Sequence, residues 1–239
     1  MSVLTPEIRA QLATVSTATL TTLLFKRGFH NLFIQGVKAI TPKATRILGP
    51  AYTLRHIPAR EDLDKLEVFR DPEHPQRKAV EDIPPGHVLV MDCRQDKSAA
   101  SAGGILVTRL MMRGAAGVVS DGGIRDSGEI GTLAFPVYCA TPSAPTNLSR
   151  HHCVDIGLPI ACGGVPVFPG DILLGDEDGV VVIPQHLVAE IAEEAAQQEI
   201  FESFVMERVK AGDTIVGLYP PTNPETLERF AAWRAERGV

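Results

Sequence analysis

The sequence predicts a single α/β domain followed by a helical arm. Three observations carry that expectation. Short apolar runs of strand character alternate with stretches of helical spacing. No Pro-, Gly- or Ser-rich linker divides the 239 residues. The chain closes on one long helical pattern, a Pro-rich hinge and a shorter helix. Apolar residues make up 44% and charged residues 22%, a composition suited to a packed core. The expected boundaries are a main domain over 1–212 and an arm over 213–239.

The elements follow in order. TPEIRAQLATVSTATLTTLLFKRG is helical in spacing, with Thr5 placed to cap it, Pro6 suited to its first position and Gly28 to end it. RILGPAYTLR and HVLVMDC read as strands, the second preceded by the turn signal Pro84-Pro85-Gly86. Between them a polar stretch, 56–82, reads as a surface excursion with some helix. GGILVTRLMMRG reads as a glycine turn feeding a helix, and AGVVSDGG as a short buried strand ending in a turn. FPVYCA continues the strand pattern, TPSAPTNLSRHH reads as a loop, and DILLGDEDGVVVIP as a strand pair. Gln185 to Lys210 is one long helix. After YPPTNP, ETLERFAAWRAERG is an amphipathic helix whose Trp233 suits it to packing on the domain or on a neighbouring subunit.

Several function classes are excluded. The net charge is −6 and no basic patch stands out, so no nucleic-acid partner is expected. No apolar run approaches the ~18 residues of a membrane span. MSVLTPEIRAQL has no basic region leading into an apolar core, and the four cysteines show no CxxC spacing; both point to reduced thiols in a cytoplasmic protein. GVVSDGGIRDSGEIG does not match GxGxxG. P-loop, GxSxG and HExxH motifs are absent.

Chemistry concentrates in residues 103–126. Gly103 and Gly104 leave the first backbone N–H groups of a helix uncovered, at the positive end of its dipole, where a carboxylate or phosphate docks. Arg125 and Asp126 emerge near the end of the next strand, where ligands of open α/β sheets gather. A small carboxylic acid fits the N–H groups and the guanidinium fork, with a divalent cation on Asp126 beside it. The same residues have plainer readings: Asp126-Ser-Gly-Glu129 matches a capping box, the glycines a tight turn, and Arg125 a surface ion pair.

The chain resembles the RraA-like family, which includes the class II 4-hydroxy-4-methyl-2-oxoglutarate aldolases. ILGPAYTLR is similar to its early glycine-proline strand, GHVLVMDC to its next strand, GVVSDGGIRD to its G-x-V-x-D-G-x-x-R-D core and PGDILLGDEDGVVVIP to its late hairpin. The resemblance implies a swivelling ββα three-layer sandwich assembled as a homotrimer or homohexamer. It implies a lyase that holds pyruvate or its enolate on Mg²⁺ or Mn²⁺ and cleaves a small 2-oxo acid, by aldol cleavage or oxaloacetate decarboxylation. In that chemistry Arg125 holds substrate and enolate, Asp126 the metal, and the N–H groups of Ile105 and Leu106 the carboxylate. Glu202 from a neighbouring subunit's long helix completes the site, with Glu199 as second choice. Left to the residues alone, either Glu is a solvated helix face.

One departure matters. The aldolases carry a D-x20-R-D pattern, and here the first position is Gly104. The resemblance therefore implies that a carboxylate assisting proton transfer is missing, help typically worth ~100- to 10,000-fold. Asp121, Asp92 and Asp96 are the carboxylates nearby in sequence. Asn147, His151 and His152, read as loop residues, are candidate relays or ligands, against the plainer reading of a surface histidine pair. The alternative function is non-catalytic: the family is named for a regulator that binds and inhibits a ribonuclease, and a glycine at 104 suits a binding protein. The methyltransferase label borne by some relatives finds no S-adenosylmethionine loop here.

Overall fold

In the computed structural model residues 3–238 are described. Helices α1 (Pro6–Leu12) and α2 (Thr17–Lys26) lead into strands β1 (Lys38–Ala39) and β2 (Ile47–Pro58). An excursion with a 3-10 turn over Leu66–Arg70 ends in α3 (Pro75–Asp82). Then come β3 (Val88–Asp92), β4 (Ala100–Ala102), α4 (Gly104–Met112), β5 (Gly117–Ile124), α5 (Ser127–Ile130) and β6 (Val137–Pro142). Four further strands follow: β7 (His151–Ile156), β8 (Ile160–Cys162), β9 (Val165–Val167) and β10 (Ile172–Gly175). The chain finishes with β11 (Val180–Ile183), α6 (Val188–Lys210) and α7 (Pro224–Arg237).

The main sheet runs β1-β6-β5-β3-β2-β10-β11, with β4 on β5 and β7 on β2. Its centre, β2-β3-β5-β6, is parallel, and the flanking pairs are antiparallel. Successive residues of the central strands point to opposite faces. Leu89, Met91 and Val118 therefore pack against Val80 of α3, Val107 and Leu110 of α4 and Ile130 of α5. Val88, Val90 and Val119 face the other way, onto Cys162, Val165 and Val167 of the small β8–β9 hairpin. Hairpin, sheet and helices thus form a β-β-α sandwich. At the far end, α1, α2 and α6 cover β10 and β11 through Leu12, Leu20, Leu23, Ile191 and Ala195.

Local chemistry explains most boundaries. The Thr5 hydroxyl accepts the Ile8 N–H at 3.3 Å and Pro6 opens α1. Gly28 follows α2 at φ +85°, a conformation that favours glycine. The first helical stretch is nevertheless two helices: Ser16 starts a new one by accepting the Thr19 N–H at 3.1 Å, and Asp176 takes the Thr17 N–H at 2.7 Å. β5 runs on through Gly122 and Gly123 instead of turning there. A Cβ on Gly123 would lie 2.5 Å from that of Ser143, so the glycines serve close packing.

The histidine pair corrects an expectation. His151 and His152 open strand β7, opposite Pro58 and Ile57 of β2, and do not lie on a loop. Asn147 sits in a buried 3-10 turn just before it. In the arm, Phe230 and Trp233 of α7 pack on Phe201 and Phe204 of α6 in the same chain, and the Trp233 indole donates to Glu207 at 3.0 Å. Phe204 is 1% exposed, so Phe204→Ala should cost about 3–5 kcal/mol through lost burial and the cavity left behind. Chemical denaturation followed by far-UV circular dichroism measures this; a cost below ~1 kcal/mol would show that the arm does not depend on this contact.

Candidate active site

The site forms where β4 hands over to α4 and where β5 ends. The first intrahelical bond of α4 runs from the Val107 N–H to the Gly103 carbonyl at 3.1 Å, which leaves the N–H groups of Gly104, Ile105 and Leu106 without helical acceptors. Asp126 Oδ2 accepts the first of them, Gly104, at 2.9 Å. The N–H groups of Ile105 and Leu106 remain for a ligand. Gly103 is extended at φ −136°, so its side chain is absent for reasons of space: a Cβ would lie 2.8 Å from both Arg125 Nε and Asp126 Oδ2. Asp126 holds a left-handed φ of 60°, which Asp tolerates better than most residues, and this turns its carboxylate back onto α4.

This overturns the capping-box reading. Asp126 occupies the N-cap position of α5 but makes no side-chain cap bond there; it caps α4 instead. Arg125 Nε lies 3.8 Å from the same Oδ2. Together they border a cavity of about 110 Å³ that also meets Gly103, Ile105, Leu106 and Asn147. Arg77 and Phe69, from α3 and the excursion before it, close its wall. Sequence reasoning missed both. The one signal for Arg77 was Pro75 at the first position of a helix, which places Arg77 in the opening turn.

Glu129 is the other residue missed as a functional group. A Cβ at Gly104 would lie 3.3 Å from Glu129 Oε2 and 3.5 Å from Asp126 Oδ2. Both carboxylates thus border the space where position 104 carries no side chain. Among the described residues no group of three or more His, Cys, Asp or Glu could hold a metal. Two hard carboxylates at one helix start suit Mg²⁺ or Mn²⁺, since Mg²⁺ keeps several waters and takes only one or two protein carboxylates.

The remaining candidates lie elsewhere. Asp121 is buried and accepts N–H groups from Cys93 (2.6 Å), Gly163 (3.0 Å) and Gln95 (3.3 Å); burial raises its pKa. It ties β3, β5 and the β8–β9 hairpin together and does not line the cavity. Asp92 is spent on the Arg94 and Ala161 N–H groups, and Asp96 on Ser98. His151 is fully buried, with Nε2 3.4 Å from the Ala99 carbonyl, and burial lowers its pKa. His152 Nδ1 pairs with Asp64 at 2.8 Å, fastening the excursion to β7. Neither is a surface residue of the cavity. Glu199 accepts the Ser16 N–H at 2.8 Å, and Glu202 is held by Gln198 and Tyr219, each at 2.8 Å. Within one chain neither glutamate lines the cavity.

These features define an α/β protein in which a helix start with free N–H groups lies beside an Arg-Asp pair. The RraA-like family profile, Aldolase/RraA, matches residues 13–182, and the chain belongs to that family. It is 32% identical over 170 residues to a Halalkalibacterium halodurans protein provisionally named a 4-hydroxy-4-methyl-2-oxoglutarate aldolase, covering 70% of this chain and 75% of the relative. Streptomyces coelicolor RraAS2, described as an unusual member of the RNase ES inhibitor RraA family, superposes with a TM-score of 0.73 at 30% identity, over 84% of this chain and 96% of the other. A Pseudomonas syringae protein shares the fold at 22% identity, with a TM-score of 0.77 over 90% and 98% of the two chains. The sandwich expected from the resemblance is the fold of these structures. Among the described residues no helix is long and apolar enough to cross a membrane.

A buried histidine beneath this region makes stability depend on pH. His56 is 1% exposed and its Nε2 has no partner; burial pushes its pKa down to about 4, against a hydrogen bond to the Asp92 carbonyl and with help from the positive charge of His151. The unfolded chain takes up this proton near pH 6.5 and the folded chain only near 4. The neutral imidazole's contribution is therefore complete above about 6.5, is lost as pH falls through that window, and amounts to roughly 3 kcal/mol. Urea melts of wild type and His56→Gln between pH 7 and 4 should converge as pH falls. Parallel curves would remove His56 from the acid response.

Proposed function

We propose that this chain is a divalent-metal-dependent lyase that breaks a C–C bond in a 2-oxo acid and releases pyruvate, as a 4-hydroxy-2-oxo acid aldolase, an oxaloacetate decarboxylase or both. The observation that carries the reading is one cavity bordered by the free N–H groups at the start of α4, the Arg125 guanidinium and an Asp126 carboxylate fixed by Gly104. The aldolase name of the Halalkalibacterium relative supports it.

The N–H groups of Ile105 and Leu106 take the C1 carboxylate. Arg125 faces the C2 oxygen, where negative charge develops as the C3–C4 bond breaks and its electron pair enters the enolate. Asp126 would hold Mg²⁺ or Mn²⁺, which would supply Lewis-acid polarisation of the 2-oxo group. Aldol cleavage also requires loss of the C4 hydroxyl proton, and the resulting enolate is protonated at C3. Glu129, whose carboxylate has no partner among the described residues and borders the empty space at Gly104, is assigned to proton transfer in place of the missing side chain. Decarboxylation needs no hydroxyl proton removed and depends on enolate stabilisation alone. In a trimer or hexamer, Glu202 or, second, Glu199 of a neighbouring α6 supplies a further carboxylate.

Pyruvate release from 4-hydroxy-4-methyl-2-oxoglutarate and from oxaloacetate, with Mg²⁺ and with chelator, tests the reading. Arg125→Ala should lose most turnover on both, and Arg125→Lys should recover little because Lys lacks the planar fork. Chelator should abolish both activities. Wild-type rates in either variant remove Arg125 from the site. Glu129→Gln should slow aldol cleavage ~100-fold or more while affecting decarboxylation less; equal effects would assign Glu129 to binding. A wild type inactive on every 2-oxo acid offered would favour the inhibitor role named for the Streptomyces relative's family.

A further inference from the structure

We propose that residues 60–73 form a ligand-operated lid over the cavity, with Phe69 as its plug, Arg77 as the seat of that plug and the Asp64–His152 pair as its latch. This rests on the reading that Arg125 and the α4 N–H groups hold an anion.

The segment is tied to the domain at few points. The N–H groups of Leu63, Asp64, Lys65, Val68 and Asp71 all bond to carbonyls between Arg60 and Val68, so these bonds close within the segment. Among the described residues none of 60–73 joins a buried apolar cluster, and Leu63 and Leu66 are 45% and 70% exposed. Pro58 closes β2 and Pro75 opens α3, which confines bending to the stretch between them. Segments with self-contained hydrogen bonds and few buried apolar contacts lie at the low end of local stability, where lids are found. Three side chains reach across. The Asp64 carboxylate is buried, with Oδ1 2.8 Å from His152 Nδ1 of β7, while its Oδ2 accepts the Arg60 N–H at 2.7 Å. Phe69 borders the cavity, with the Arg77 guanidinium carbon 4.4 Å from its ring centroid and the His74 ring edge-on at 5.3 Å. The third link, Glu73 with Lys78, is an exposed ion pair and holds little.

Arg77 couples the lid to the ligand. It borders the same cavity as Arg125. Burial first, and then the positive charge of Arg125, lower the pKa of Arg77. In the empty cavity the two guanidiniums repel, which loosens Arg77 beneath the Phe69 ring. An anion on Arg125 and the α4 start offsets that repulsion and settles Arg77 in place. The cation–π contact with Phe69 then strengthens, and the closed lid is favoured over the open one by the ligand's differential interaction with the two states. Closure excludes water from the cavity. That strengthens the hold of Arg125 on a developing enolate oxygen and leaves proton transfer to the side chains of the site.

Amide hydrogen exchange, followed by NMR on the full chain with Mg²⁺ and with or without saturating oxalate, tests this. Without oxalate the amides of Leu63, Asp64, Lys65, Val68 and Asp71 should exchange faster than those of β3 and β5. Oxalate should slow them at least ~10-fold. Phe69→Ala and Arg77→Gln should each remove most of that slowing while the Ile105 and Leu106 amides still shift with oxalate. Asp64→Ala should speed exchange with and without oxalate; circular dichroism confirms that each variant folds. Lid amides unmoved by oxalate, with Ile105 and Leu106 shifted, overturn the lid and leave the anion site standing. Full slowing in Phe69→Ala or Arg77→Gln overturns the coupling, and exchange in the free chain as slow as in β3 overturns the motion itself. If Ile105 and Leu106 do not respond either, the anion site fails and the lid falls with it.

Discussion

The site depends on how closely the start of α4 can approach the end of β5. That approach is possible because position 103 carries no Cβ: one placed there would lie 2.8 Å from Arg125 Nε and from Asp126 Oδ2. Once the backbones are this close, the Gly104 N–H reaches Asp126 at 2.9 Å. That bond sets the direction of the Asp126 carboxylate, uses up one helix donor and leaves the next two facing the cavity. The left-handed backbone at Asp126 is the local cost, offset by a charge-assisted hydrogen bond at the helix's positive end. Any side chain at 103 would force the two backbones apart and dissolve the arrangement.

Much of this was legible in the sequence, for identifiable reasons. Central strands β3 and β5 are buried on both faces, so they read as continuous apolar runs. The helix start at 103–106 announced itself through paired glycines before an apolar periodicity. The division between α1 and α2 was less visible, because Thr14-Val15-Ser16-Thr17 keeps helical spacing and only Ser16's capping bond breaks it. The histidine strand was hidden by the Pro-, Ser- and Asn-rich residues before it. Its partner β2 lies about a hundred residues away, beyond the reach of local patterns. The plainer reading of Asp126, as the cap of the helix that follows it, fails because the helix it caps begins 22 residues earlier. For Arg77 the only local signal was Pro75 opening its helix, since its meaning comes from Arg125 across the cavity.

Two kinds of polar burial lie side by side. Asp121 and Asp92 are saturated by backbone N–H groups, which fits a structural role in joining β3, β5 and the β8–β9 hairpin. Asn147, Arg77, Arg125 and the α4 donors are incompletely answered within the chain, and they share one cavity. Their unmet hydrogen-bonding capacity distinguishes a binding site from a buried polar knot better than sequence proximity did. It separates Asn147 from His151, which stands four positions later in the chain and serves the core.

The central claim is that the first turn of α4 and Arg125 form one anion site. Backbone amide NMR of the chain titrated with oxalate, an inert mimic of the pyruvate enolate, tests it most directly. The account predicts large, saturating shifts of the Ile105 and Leu106 amides together with the Arg125 side-chain Nε–H, all following one binding curve and all lost in Arg125→Ala. Saturating shifts elsewhere, with these three signals unmoved, would contradict it.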